Sequence, residues 1–289
     1  MWGDRALGVA QPFRRRRIVL LSIVILALGA GAVTAGALTG GTKPLDAGPL
    51  VTSTPMPGTE PSIGPTSTPT PARAAPTVSP DPAEMPLFDR AARSLDDPSS
   101  LWVVVDKTRP LNPIDYAPTD LIDVPVPHVW SPQLRREASE ATVALFAAFT
   151  AETGLALQSQ SSYRSHDTQV DVYNRDVADN GQAFADTSTA RPGTSEHQTG
   201  LAIDISALPG NCSLDACFGG TPQGQWLAGN AWRFGFLLRY PADKVAITGY
   251  GYEPWHFRYI GPELATEMHD TGTATLEEFF GLPAAPGYN

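Results

Sequence analysis

The sequence predicts an α+β fold, on three observations. Strand-like and helix-like stretches follow one another in irregular order, without the repeating strand–helix–strand units of a doubly wound sheet. No Gly-rich phosphate loop follows any predicted strand. No internal repeat is visible along the chain.

The segments divide by composition. Residues 1–17 form a basic tail ending in Arg14, Arg15, Arg16 and Arg17, and residues 18–38 are an uncharged, apolar run. At 1.5 Å per residue, about 20 residues span a hydrocarbon core of roughly 30 Å. The basic side stays cytoplasmic, so this reads as a single-pass membrane anchor with the rest of the chain outside the cell. A cleaved signal peptide is the rival, since Ala35-Gly36-Ala37 offers small residues for a peptidase; the length of the run favours the anchor. Residues 39–85 are Pro, Thr, Ser, Gly and Ala with almost no aromatics, as in Thr68-Pro69 and Thr70-Pro71. Such a segment cannot bury enough apolar surface to offset its ordering entropy. It reads as an extended, disordered linker with a reach on the order of 100 Å, suited to holding a domain away from a membrane and inside a cell wall.

Residues 86–289 are then the folded domain. Net charge is −10, yet residues 1–40 hold five arginines against Asp4, a net +4, so the remainder carries −14. That acidic surplus argues against nucleic acid as a partner. Trp102-Val103-Val104-Val105 predicts a strand, and the Pro-punctuated stretch from Leu111 to Pro127 a surface wrap. Pro132 to Thr153 predicts a helix: Leu134, Ala138, Ala141, Leu145 and Phe149 recur at helical spacing, Pro132 suits the first turn, and Gly154 ends it. Leu155–Ser162 predicts a strand, followed by a helix from Ser165 to Ala178 with Val170, Tyr173 and Val177 inward. Thr221–Phe234 predicts another helix. Phe236–Tyr240, Val245–Thr248 and Trp255–Tyr259 predict strands, and the C-terminal helices are short. Cys212 and Cys217 are too few for a thiolate metal site; in an exported domain a disulfide closing a short loop is favoured.

The chemistry concentrates in Ser195-Glu196-His197-Gln198-Thr199-Gly200-Leu201-Ala202-Ile203-Asp204. After the Pro192-Gly193 turn and the bend at Gly200, Leu201, Ile203 and Ile205 alternate with Ala202, Asp204 and Ser206 as on a strand. An acid on a strand and a histidine in its feeding loop are two zinc ligands; His256, in Glu253-Pro254-Trp255-His256, offers a third. Two histidines and one acid leave a fourth position open, as catalytic zinc requires, and Glu253 stands near as a base. His128, His166 and His269 are assigned no metal role. Arg164 sits at a strand-to-helix junction, where a guanidinium can meet a substrate oxyanion or carboxylate; Gln169 lies one turn further on. A serine mechanism lacks its nucleophile elbow or serine–lysine pair, and no organic cofactor is expected.

The pattern Ser-x-His-x-x-Gly-x-Ala-x-Asp at 195–204, with Glu-x-x-His at 253–256, Tyr163-Arg164-Ser165 with Gln169, and Gly249 to Tyr259, resembles the VanY-type zinc D-alanyl-D-alanine carboxypeptidases. The resemblance covers roughly Leu101 to Gly261. It implies a small antiparallel sheet flanked by helices, with one Zn2+ in a groove held by His197, Asp204 and His256. Glu253 is then the general base, Arg164 the stabiliser of charge on the scissile carbonyl, and Ser195 and Gln169 the grips on the terminal D-alanine. Trp255 and Phe257 are expected as wall and core, and Arg258 as a structural ion pair. The implied substrate is a peptidoglycan stem peptide ending in D-alanine, in a Gram-positive type of wall. Three alternatives rank below this: an L,D-carboxypeptidase or wall endopeptidase using the same site, a non-catalytic wall-binding zinc domain, and a non-haem iron oxygenase.

Overall fold

The computed structural model describes residues 88–288. The basic tail, the apolar run at 18–38 and the linker at 39–85 lie outside the described residues. Among the described residues no helix is long and apolar enough to cross a membrane.

Two short strands, β1 (Leu121–Asp123) and β2 (Gln133–Arg135), form an antiparallel pair. The chain continues through α1 (Arg136–Thr153), β3 (Ala156–Ser161), α2 (His166–Asn180) and α3 (Gln182–Ser188). After a 3-10 turn at Glu196–Thr199 come β4 (Ala202–Leu208), α4 (Pro222–Asn230), β5 (Phe236–Leu238), the single turn α5 (Val245–Thr248), β6 (His256–Tyr259), α6 (Pro262–Asp270) and α7 (Leu276–Phe280). The main sheet has the order β3-β4-β6-β5 and every pair is antiparallel, so β4 and β6 lie side by side at its centre. Segregated helices around one small antiparallel sheet make this an α+β fold.

The core forms where α1 covers the sheet. Ala138, Thr142, Leu145 and Phe149 recur every three or four residues and turn one face inward. Phe149 meets Trp226 of α4 edge-on at 5.2 Å. Opposite them, Leu201, Ile203 and Ile205 are fully buried. Burying each such side chain contributes about 1.5–3 kcal/mol. The helix stops at Gly154, whose φ of 70° suits a residue without Cβ, and whose N–H bonds Thr150 O. Ser165 caps α2, its hydroxyl accepting from Thr168 N–H at 3.2 Å. Cys212 and Cys217 are joined in a disulfide.

Several expectations are corrected. Trp102–Val105 is no strand, although every residue in it is buried. Its polar groups are met by isolated partners instead of a ladder: the Trp102 indole N–H donates to Ile260 O, Val104 N–H to Leu95 O, and Arg258 Nη2 to Leu101 O and Val103 O. A β-branched run signals burial as readily as it signals a strand. Val245–Thr248 is a helical turn, closed by Gly249 N–H donating to Val245 O and ended by the positive φ of Gly249. The helix placed at Pro132 begins at Arg136, because Gln133–Arg135 pairs with β1. β1 hides inside the stretch read as a wrap, and α3 carries no clear periodic signal.

Candidate active site

Register does the first part of the assembly. Asp204 on β4 lies directly opposite His256 on β6, so their side chains share one face of the sheet. His197 arrives from the 3-10 turn, which Gly200 closes at φ 68°. A Cβ at Gly200 would lie 2.9 Å from Leu121 Cδ2, so both space and conformation demand glycine there. The result is one buried cluster in which donor atoms of His197, Asp204 and His256 lie within 4.8 Å of one another.

Each imidazole is held from behind. His197 Nδ1 pairs with Ser162 O at 2.7 Å, which turns Nε2 toward Asp204 Oδ2 at 3.3 Å. His256 Nε2 pairs with Glu196 Oε2 at 3.2 Å, which turns Nδ1 toward Asp204 Oδ1, also at 3.2 Å. Anchoring the second ring nitrogen on a carbonyl or carboxylate is how proteins orient metal-ligating histidines. The His–Asp separations exceed those of charge-assisted hydrogen bonds, about 2.7–2.9 Å. They are near the roughly 3.3 Å edge of a tetrahedron with arms of about 2.0–2.1 Å, although each histidine faces a different oxygen of Asp204. Two imidazole nitrogens and one carboxylate oxygen, all within 4.8 Å of one another, are a donor set that suits zinc.

The remaining predicted residues surround that cluster. Arg164, Ser195, Glu253 and Trp255 line a groove of about 210 Å³ with the three candidate ligands, Tyr240, Tyr250 and Leu214. Glu253 Oε2 lies 3.9 Å from His256 Nδ1. Arg164 donates to Gln169 Oε1 at 2.9 Å and to Ser161 Oγ at 3.0 Å, and its backbone N–H donates to His197 O. Gln169 is brought to Arg164 but not to the groove: it is buried, and its amide nitrogen donates to Ala190 O at 2.7 Å. Of the other histidines, His128 pairs with Val126 O, His166 lies beside Asp167, and His269 stacks on Trp232.

Residues 131–262 match the model of the VanY family, D-alanyl-D-alanine carboxypeptidase. YodJ of Bacillus subtilis (strain 168) is 38% identical over 192 residues, covering 65% of this chain and 69% of that protein. The chain belongs to the VanY family. It is accordingly a carboxypeptidase. Solved structures are similar as well, among them the following two. The LdcB LD-carboxypeptidase, whose structure bears on peptidoglycan recognition, aligns with a TM-score of 0.59 and 39% identity, over 64% of this chain and 87% of that one. A mutant of the vancomycin resistance D,D-pentapeptidase VanY, in complex with Zn(II), aligns with a TM-score of 0.52 and 33% identity, over 63% and 99%. The chain spans less than half the length of the D-alanyl-D-alanine carboxypeptidases of Enterococcus faecalis and Enterococcus faecium that it matches, 45% and 34%.

The electrostatics of this VanY-family groove separate its carboxylates. Burial works against a charged Asp204, but His197 and His256 outweigh it and hold the group well below the usual carboxylate range. Burial pushes Glu253 up to about 8, with Asp204 and Glu196 adding to the rise and His256 and Arg164 opposing it. One carboxylate stays ionised while its neighbour can hold a proton near neutrality, a division that suits a ligand and an acid/base group. Burial lowers Arg164, against the pull of Asp204 and Glu253.

Behind His256 stands a buried ionic cluster. Glu196 Oε1 accepts from Arg239 Nε at 2.9 Å and Arg258 Nη1 at 2.8 Å; Arg239 also grips both oxygens of Glu277, at 3.0 and 2.6 Å. Arg258 is the structural partner expected of it. Glu196, Arg239 and Glu277 were not anticipated. The signal for the arginines was present: Leu238-Arg239-Tyr240 and Phe257-Arg258-Tyr259 set a charge among apolar strand residues, where an unpaired charge is prohibitive.

Proposed function

We propose that this protein is a zinc-dependent carboxypeptidase that removes the C-terminal D-alanine from peptidoglycan stem peptides. The observation that carries the reading is the convergence of His197, Asp204 and His256 within 4.8 Å, with Glu253 beside them in the groove. His197 Nε2, an Asp204 oxygen and His256 Nδ1 would hold the ion. Zinc bound there supplies Lewis acidity, polarising a carbonyl and making water a better proton donor near neutral pH. Glu253 takes the proton from the attacking water and delivers it to the departing amine as the C–N bond breaks. Arg164, fixed by Gln169 and Ser161, meets the negative charge that develops on the scissile carbonyl oxygen. Ser195, at the groove wall, grips the terminal carboxylate. The products are free D-alanine and a stem peptide one residue shorter.

The L,D-carboxypeptidase reading has its own support in the likeness to the LdcB LD-carboxypeptidase. The test is to offer pentapeptide and tetrapeptide stems to the purified protein, measure its metal content and identify products by mass. D-alanine released from the pentapeptide alone is expected. Release from the tetrapeptide alone would transfer the assignment to L,D cleavage, and release from neither would remove this substrate class.

The anchor and linker complete the proposal. The apolar run at 18–38 behind four arginines places the domain outside the cell membrane, on a tether formed by residues 39–85. Membrane fractionation resistant to alkaline extraction is the expected result; a soluble protein beginning after Ala37 would show cleavage instead.

A further inference from the structure

The cluster behind His256 contains Glu196, Arg239, Arg258 and Glu277, all fully or almost fully buried. Two negative and two positive charges cancel. Neutrality alone does not explain the cluster, because apolar side chains of similar volume would fill a dry interior as stably or more so. What apolar side chains cannot do is aim an imidazole.

The geometry divides Glu196 into two working ends. Oε1 is occupied by two guanidinium donors, at 2.9 and 2.8 Å, which fix the carboxylate in place. Oε2 faces outward and takes His256 Nε2 at 3.2 Å. Both arginines are pinned in turn: Arg239 by Glu277, and Arg258 by the carbonyls of Leu101 and Val103. No member can swing without breaking a charge-assisted bond in the interior, so the orientation of the His256 ring is set by a chain of contacts reaching to α7.

We infer that Glu196 is a positioning residue for the metal centre, holding the His256 ring so that Nδ1 faces Asp204, with Arg239, Arg258 and Glu277 as its fixed support. The inference rests on the zinc reading above. Glutamine is a poor substitute at 196: whichever way its amide turns, an NH2 group faces either the arginine donors or the imidazole N–H. It also leaves the cluster one positive charge in excess beside a cation site. Aspartate keeps the charge but is one methylene shorter, so it cannot reach both partners.

The test measures zinc affinity by competition with a chromophoric chelator on the full chain, together with the visible spectrum of the cobalt-loaded protein and the melting temperature. Glu196→Gln should weaken zinc binding about 10–100-fold, the usual cost of losing such a support. Glu196→Asp should lose about tenfold and alter the cobalt bands while remaining folded. Glu277→Gln changes the cluster charge by the same unit without touching His256; it should lower the melting temperature yet lose less affinity than Glu196→Asp. If Glu196→Asp binds zinc like the wild type, or Glu277→Gln loses as much as it does, the positioning role is wrong and only charge balance or packing matters. A wild-type protein that does not bind zinc would overturn the metal reading and this inference together. Tight wild-type binding with an indifferent Glu196 would overturn this inference alone.

Discussion

The floor and the rim of the groove are built on opposite principles. The floor is two adjacent strands, β4 and β6, plus the 3-10 turn, and every side chain that faces the ligand cluster there is buried and held by at least one partner. The rim is drawn from separate pieces: Ser188–Ala190 at the end of α3, Val172 on α2, and Leu214 in the loop between Cys212 and Cys217. Leu214 is 48% exposed and sits at φ 54°, a conformation leucine rarely adopts. An over-determined floor keeps reacting groups within the tolerance catalysis needs. A rim of separately varied pieces can change which peptide fits without disturbing the chemistry.

Four experiments would break or sharpen that contrast. On the zinc reading, a chelator should abolish hydrolysis and lower the melting temperature, with both restored by Zn2+, because an ion held only by the folded state would stabilise it. Glu253→Gln should reduce kcat by about 10²–10⁴-fold with zinc content unchanged; retained activity would remove Glu253 as the base. Gln169→Ala should cost roughly tenfold, mostly in kcat, since it frees Arg164 instead of removing a substrate contact. An effect confined to KM would return Gln169 to the role of a substrate grip. Leu214→Ala, at the rim, should raise KM by about fivefold, near 1 kcal/mol, and leave kcat and zinc affinity alone. A fall in kcat there would mean floor and rim are not separable.

The floor was also the more legible of the two in the sequence. His197, Asp204, Glu253 and His256 sit in short motifs, and strand alternation places Asp204 away from Leu201 and Ile203. The α+β class followed from the irregular order of strand-like and helix-like stretches, and the helix ending at Gly154 from periodicity. What escaped was whatever depends on partners far along the chain. Glu196 is 43 residues from Arg239 and 62 from Arg258, and Arg239 is 38 from Glu277. Local pattern carries no record of such pairs. Trp102–Val105 misled because a β-branched run announces burial, and only tertiary context decides between ladder and irregular chain. Val245–Thr248 is a surface turn in which Val245 is exposed and only Thr248 is buried, so its β-branched residues mark no strand.

Arg258 reaches back to the carbonyls of Leu101 and Val103, and Arg239 reaches forward to Glu277. Both handholds fall outside residues 131–262, the portion this chain shares with its family's common pattern. A fragment trimmed to that portion would retain every proposed ligand and the base, yet leave two buried guanidinium groups to share the single carboxylate of Glu196. The smallest piece able to stand alone is therefore wider than the recognisable motif: it must begin before Leu101 and run past Glu277.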